Sequence, residues 1–164
     1  YKRILMTHDA SKCASAIIPY VVSLAKVYDS EILLLQIIDS AKQEASGIAI
    51  PNISMYPPIS PLGEELLKLT KVIKEKAKNN LNKIRKEFED QGVMKIKMDV
   101  REGFAQEAIL YVAKKEKVDL IAMSTHGRTG LGGVLLGSVA KHIIQHAECP
   151  VLTVRPSTIG GEKI

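Results

Sequence analysis

The sequence predicts an α/β protein: a single domain on an open, five-stranded parallel sheet with helices on both faces. Short runs rich in aliphatic residues, each strand-length, recur at residues 4–6, 31–38, 95–100, 118–123 and 151–154. Segments with apolar residues at three- and four-residue steps separate them. Strands that alternate with helices in this way form a parallel sheet with right-handed crossovers.

The elements follow in order. Ile4-Leu5-Met6 is a buried strand that breaks at Thr7-His8-Asp9-Ala10-Ser11. Ser11 can cap the next helix, which reads to about Tyr28 through Ala14, Ile17, Ile18, Val21, Leu24 and Ala25, with Pro19 kinking it from inside. Residues 31–38 are near-continuously aliphatic, as a strand covered on both faces requires. Residues 39–62 hold Pro51, Pro57, Pro58 and Pro61 with Asn52, Ser54 and Ser60, and read as a long loop.

Residues 64–91 form a long helix whose Leu66, Leu69, Ile73, Ala77, Leu81, Ile84 and Phe88 make one apolar stripe, ended by Gly92. Ile96, Met98 and Val100 alternate with polar residues, which suggests an edge strand with one wet face. Gly103 opens a loop before a helix at 105–117. A buried strand at 118–123 runs into a glycine-rich loop at 124–136, a helix starting at Gly137-Ser138, a stop at Pro150, and the last strand.

Composition narrows the function. The 164 residues are 46% hydrophobic and 25% charged, and aromatics reach 4% with no Trp, so the core is aliphatic. The net charge of +5 invites a nucleic-acid reading. Its distribution argues against one: residues 64–91 mix eight Lys/Arg with six Asp/Glu, the pattern of a solvated helix face, and aromatic stacking platforms are scarce. Cys13 and Cys149 lie far apart with no zinc spacing and read as buried small hydrophobes. The strand-like start and the lack of a spanning apolar run point to the cytoplasm and no membrane.

In doubly wound sheets, ligands sit at the carboxyl ends of the strands, near the switch in strand order. Two polar loops belong there, 7–11 and 124–137. The second follows a strand and opens a helix. Its glycines let the backbone approach an anion, the helix start offers N–H groups and a positive dipole end, and Arg128 adds charge. This is neither a Walker loop nor the dinucleotide fingerprint: no Lys follows a glycine at the required place, and Leu135 stands where a third glycine belongs. A phosphate cradle and a surface loop with an ordinary helix cap both fit the local chemistry.

The stretch Ser124-Thr125-His126-Gly127, nine residues, then Gly137-Ser138 resembles the nucleotide motif of the universal stress protein family: Gly, two residues, Gly, nine residues, Gly, then Ser or Thr. The run 119–123 before it, Cys149-Pro150-Val151-Leu152-Thr153-Val154 after it, Asp9, Ile37-Ile38-Asp39 and Arg101-Glu102-Gly103 fit the same family. The resemblance spans the chain except the Pro-rich loop and the tail after Pro156. It implies a Rossmann-like fold of the adenine-nucleotide α-hydrolase type with strand order 3-2-1-4-5, a domain at 1–156 and a tail at 157–164.

The resemblance further implies ATP with Mg²⁺ or Mn²⁺ as ligand. Asp9 would hold the ribose, and backbone groups of Thr7, His8 and Ile37 would surround the adenine. Gly127, Gly137, Ser138 and Val139 would contact the phosphates. Met123, Ser124, His126 and Arg128 complete the candidate set. By residue chemistry alone, Asp9 also fits a helix N-terminal cap, and His126 either touches phosphate or fixes its loop. Ser124 stands where the motif has its first glycine: a positive φ there would penalise serine, whereas an ordinary turn would gain a hydroxyl.

No nucleophile–base–orienter set is legible, which favours a nucleotide-binding sensor over an efficient enzyme; the resemblance implies a role in the stress response, with slow ATP hydrolysis at most. A nucleotide-free interaction module of the same fold is the alternative. An adenylating enzyme would need glycine in the loop after strand one, where His8-Asp9-Ala10-Ser11 has none. His142 and His146 lie four apart on a helix but lack further ligands for a metal site. The apolar last strand, Val151, Leu152, Thr153 and Val154, is an expected edge, and the resemblance implies a homodimer through it.

Overall fold

The computed structural model describes residues 1–38, 61–125 and 136–155. The element order is β1 (Arg3–Thr7), α1 (Lys12–Ser15), α2 (Ile18–Tyr28), β2 (Glu31–Ile38), α3 (Pro61–Asp90), β3 (Ile96–Glu102), α4 (Ala105–Lys115), β4 (Leu120–Ser124), α5 (Ser138–His146) and β5 (Val151–Val154). The five strands form one sheet in the order β3-β2-β1-β4-β5, and every pairing is parallel. This is the predicted architecture and strand order.

The period of two along each strand divides the core. Ile4, Met6, Ile32 and Leu34 face one side and pack with Val21 and Val22 of α2 and Leu81, Ile84 and Phe88 of α3. Leu5, Leu33, Leu35, Ile121 and Met123 face the other and pack with Ile109 and Val112 of α4 and Ala140 and Ile143 of α5. Leu5 lies in register between Leu33 and Ile121 at the sheet centre. Both faces of β1, β2 and β4 are therefore covered, which explains their near-continuous aliphatic composition.

The first helix departs from expectation. Ser11 does cap it, accepting from the Ala14 N–H at 3.1 Å. However, it closes after one turn, and α2 begins separately at Ile18. Pro19 falls in the first turn of α2, where its missing N–H leaves no carbonyl unpaired. A proline inside a continuous helix would have broken a bond and met the carbonyl four residues back. The long helix ends as read: Gly92 takes φ +84°, and Val93 N–H returns to the Phe88 carbonyl at 3.0 Å. It starts at Pro61, three residues before the expected Glu64.

β3 is an edge strand, as its alternation predicts. Ile96 and Val100 pack on the core, whereas Met98 between them is exposed. Both cysteines are free and only half-buried, which corrects their reading as buried hydrophobes. Burial pushes the Cys149 thiol up from its ordinary value.

Charge gathers at the amino ends of the strands. Asp119 accepts the Lys2 and Arg3 N–H groups at 2.7 and 3.2 Å, fixing the start of β1 beside β4. Glu31 receives Arg3 and Lys97, each at 2.7 Å. The Lys97 bond, with Arg3 adding to it, holds the Glu31 carboxyl below its ordinary value.

Candidate functional site at the carboxyl ends of β1 and β4

The strand order runs outward from β1 through β2 to β3 and, on the other side, through β4 to β5. The switch point therefore falls between β1 and β4, where a doubly wound sheet leaves its crevice. The ladder continues one residue past each strand there: His8 N–H donates to the Leu35 carbonyl, and Thr125 N–H to the Val154 carbonyl, both at 2.9 Å.

Beyond β1 the chain turns sharply. Asp9 Oδ1 accepts the Ser11 N–H at 3.0 Å, an Asx turn. Ala10 between them takes φ +65°, a left-handed conformation uncommon outside glycine. Ser11 rather than Asp9 caps α1, so the carboxylate is not the helix cap. It stands half-exposed at the mouth of the crevice.

Beyond β4 the contact is tighter. Gly137 N–H donates to the Thr125 carbonyl at 2.8 Å, pinning the start of α5 to the end of β4. Gly137 has φ −65° and ψ 156°, open to any residue, so conformation does not require glycine. Contact favours it: a Cβ would stand 3.0 Å from the Thr125 carbonyl oxygen, closer than a Cβ ordinarily comes to its neighbours. No side chain caps α5, and its first turn carries no acidic residue. Its positive end thus stands unneutralised by any acidic side chain of its own first turn.

Ser124 closes β4 in the strand itself and is absent from the positive-φ positions among the described residues. The motif's first glycine therefore carries no positive-φ demand here, and serine fits without backbone cost. The residue is buried.

The other expected site residues divide. Thr7 ends β1, and Ile37, near the end of β2, is half-buried against the second core. The Met123 side chain is buried in that core, so only its backbone is left for a crevice ligand. Ser138 opens α5 at the surface, and Val139 packs against the second core. His126, Gly127 and Arg128 lie outside the described residues.

The His8 side chain holds more than sequence reasoning assigned it. It is only 5% exposed. Its Nδ1 accepts the Ala10 N–H at 3.0 Å and lies 3.3 Å from Asn80 Nδ2. Its Nε2 lies 3.2 Å from Ser15 Oγ. Asn80 also donates to Gln36 Oε1 at 2.8 Å. Burial lowers the His8 pKa below the ordinary imidazole value, against a smaller upward pull from Asp9. The signals for this network were one polar residue, Gln36, in an aliphatic strand, and Asn80 on the inner half of α3.

His142 and His146 stack with ring centroids 4.1 Å apart, and His146 Nδ1 bonds the His142 carbonyl at 2.8 Å. Among the described residues, no group of three or more His, Cys, Asp or Glu gathers to hold a metal ion.

A model of the universal stress protein family matches residues 1–155. Universal stress protein MJ0531 of Methanocaldococcus jannaschii is 34% identical over 155 residues, 94% of this chain and 82% of that one. MJ0577 of the same organism is 34% identical over 159 residues, 94% and 95% of the two chains. The solved structure of MJ0577 superposes with a TM-score of 0.79 over 97% of this chain and 99% of that one, at 31% identity. Two more distant structures share the fold. A universal stress protein of Arabidopsis thaliana with AMP bound has a TM-score of 0.63 at 20% identity, over 94% and 92% of the two chains. That of Archaeoglobus fulgidus in complex with dAMP has a TM-score of 0.59 at 13% identity, over 93% and 97%.

Proposed function

The chain belongs to the universal stress protein family, and we propose that it acts there as an adenine-nucleotide-binding regulator of the stress response, with ATP as its ligand. The observation that carries this reading is the pairing of β1 with β4 at the switch point. It brings a turn bearing the Asp9 carboxylate next to a glycine-tight helix start. Relatives of the same fold with AMP and dAMP bound support the ligand class.

The groups fit the parts of a nucleotide. A carboxylate accepts hydrogen bonds from ribose hydroxyls, and half-exposed Asp9 has the chemistry for it. Ser138 and Val139 offer first-turn N–H groups, and the helix start at Gly137 a close approach and a dipole end, to phosphate oxygens, with Gly127 and Arg128 completing the proposed set. Backbone groups of Thr7, His8 and Ile37 would edge the adenine. Mg²⁺ or Mn²⁺ would arrive with the phosphates, since such ions keep waters and need few protein carboxylates.

Two further parts belong to the same proposal. β5 is an outer strand whose residues are all half-buried, and it would pair with β5 of a second copy. The location proposed for the regulator is the cytoplasm, by analogy with its family; separately, no helix among the described residues is long and apolar enough to cross a membrane.

The test is a calorimetric titration of nucleotide-free protein with Mg²⁺-ATP, alongside Gly137→Val. Saturable binding that the variant loses supports the cradle. No binding by the native chain sinks the nucleotide reading and favours the interaction module.

A further inference from the structure

The His8 imidazole is buried, polar and directed at α1 and α3, and the nucleotide reading uses only the backbone of this residue. Its partners fix its state. The Ala10 backbone N–H can only donate, so Nδ1 must be an unprotonated acceptor. Asn80 Nδ2 approaches the same lone pair, and its other bond, to Gln36 Oε1, keeps its amide nitrogen turned this way. The proton then sits on Nε2, which donates to Ser15 Oγ. Among the described residues, the groups bonded to the ring from α1 and α3 are the neutral Ser15 and Asn80, Asn80 is tied to neutral Gln36 of β2, and the charge acting on the ring is Asp9 on its own loop.

We infer that His8 is a positioning residue: its neutral imidazole holds Ala10 in the left-handed turn, so fixing where Asp9 stands, and links that turn to α3 through Asn80. The mechanism is geometric. Ala10 at φ +65° is strained for a residue with a Cβ, and such a conformation persists only when its surroundings over-determine it. Among the described residues, the Ser11 N–H donating to Asp9 Oδ1 and the Ala10 N–H donating to His8 Nδ1 do so. A proton on Nδ1 would set N–H against N–H at both Ala10 and Asn80. The turn would lose its His8 tie, and α3 the Asn80 bond to the turn. The consequence for ligand affinity rests on the nucleotide reading; the turn lock itself does not.

The experiment has two readouts on the full chain between pH 5 and 8. The first is the NMR titration of the His8 ring nitrogens and the Ala10 amide without nucleotide. The second is the Mg²⁺-ATP dissociation constant of the native chain, His8→Asn and His8→Gln. An Asn amide oxygen takes the place of Nδ1 and does not titrate, whereas the longer Gln does not reach Ala10 in that way. The expected result is an Nε2–H tautomer, an Ala10 amide that moves with His8, and a native dissociation constant rising by up to about tenfold per pH unit once the ring charges. His8→Asn should flatten that added slope, and His8→Gln should bind at least about tenfold more weakly at every pH. The phosphate's own titration is common to all three proteins and cancels in the comparison. An Nδ1–H tautomer, an Ala10 amide indifferent to His8, or an unchanged slope in His8→Asn overturns the inference. If the native chain binds no ATP while the Ala10 amide follows His8, the nucleotide reading fails and the turn lock stands.

Discussion

Gly137 and Thr125 touch through their backbones: the Gly137 N–H donates to the Thr125 carbonyl at 2.8 Å, and the same oxygen lies 3.0 Å from where a Gly137 Cβ would be. One contact both joins β4 to α5 and leaves a side chain at 137 room only if the backbone gives by a few tenths of an ångström. The neighbour is backbone one residue past β4 and tied to β5 through the Thr125 N–H, so it yields less readily than a flexible side-chain tip.

Gly137→Ala is therefore expected to push the helix start away from β4 by a few tenths of an ångström. Overpacking of this kind costs about 1–3 kcal/mol, to be read from urea midpoints at constant m. ATP affinity should fall at least about tenfold, roughly 1.4 kcal/mol. An alanine variant with native affinity would remove the close approach from the binding account.

Asp9 holds its turn with one oxygen, and Asn can keep that bond. Asp9→Asn should accept from the Ser11 N–H through its amide oxygen and stay within about 0.5 kcal/mol of native stability, the range of ordinary surface changes. Asp9→Ala removes the bond and should cost about 1 kcal/mol. Both should weaken ATP at least about tenfold if the carboxylate receives the ribose. Calorimetry and melting on the two variants separate the turn from the ligand contact, and native affinity in Asp9→Asn would sink the ribose assignment.

How far the sequence could be read depends on which force set each element. Strands β1, β2 and β4 were legible because burial on both faces leaves aliphatic residues almost no alternative, and Gly92 was legible because a left-handed stop demands it. The break between α1 and α2 was missed because Pro19 reads as a kink or as a helix start, and apolar spacing continues through both choices. The preference for glycine at 137 was visible as a motif position, but its cause, contact rather than backbone angle, needed the position of the Thr125 oxygen. For His8 the sequence offered a backbone role beside the adenine but none for its side chain. Its role depends on Asn80, seventy-two positions away, and no local pattern pairs the two.

His8 also makes folding stability depend on pH. Burial lowers its folded pKa, so across the window between the folded and unfolded values the unfolded chain binds the proton and the folded chain does not. Its contribution is thus fully present above about pH 6.5, the unfolded value, and shrinks as pH falls toward the folded pKa. The urea midpoint should drop between pH 7.5 and 5.5, with a smaller drop in His8→Asn. Glu31, shifted down by Lys97 and Arg3, acts in a separate, more acid window: its stabilisation is present above the ordinary carboxylate pKa and lost as pH falls through the folded value. Equal drops in the native and variant chains between pH 7.5 and 5.5 would show that the buried ring is not the titrating group.

The edge of β5 gives the last prediction, because its backbone has two distinguishable sides. The Pro150 carbonyl accepts from Ile121 N–H at 3.0 Å and the Val154 carbonyl from Thr125 N–H at 2.9 Å. In a parallel ladder, alternate residues address the same neighbour, so Leu152 joins Pro150 and Val154 in facing β4. Val151 and Thr153 then turn their N–H groups to the open edge. Proline is tolerated at an edge position whose N–H faces outward. Thr153→Pro should therefore keep the fold while removing a donor needed by an added strand. Sedimentation should show the native chain as a dimer and the variant as a monomer with similar far-ultraviolet circular dichroism. A native chain that stays monomeric at high concentration contradicts the dimer. A variant that remains dimeric moves the interface away from strand pairing, to side chains elsewhere on the surface.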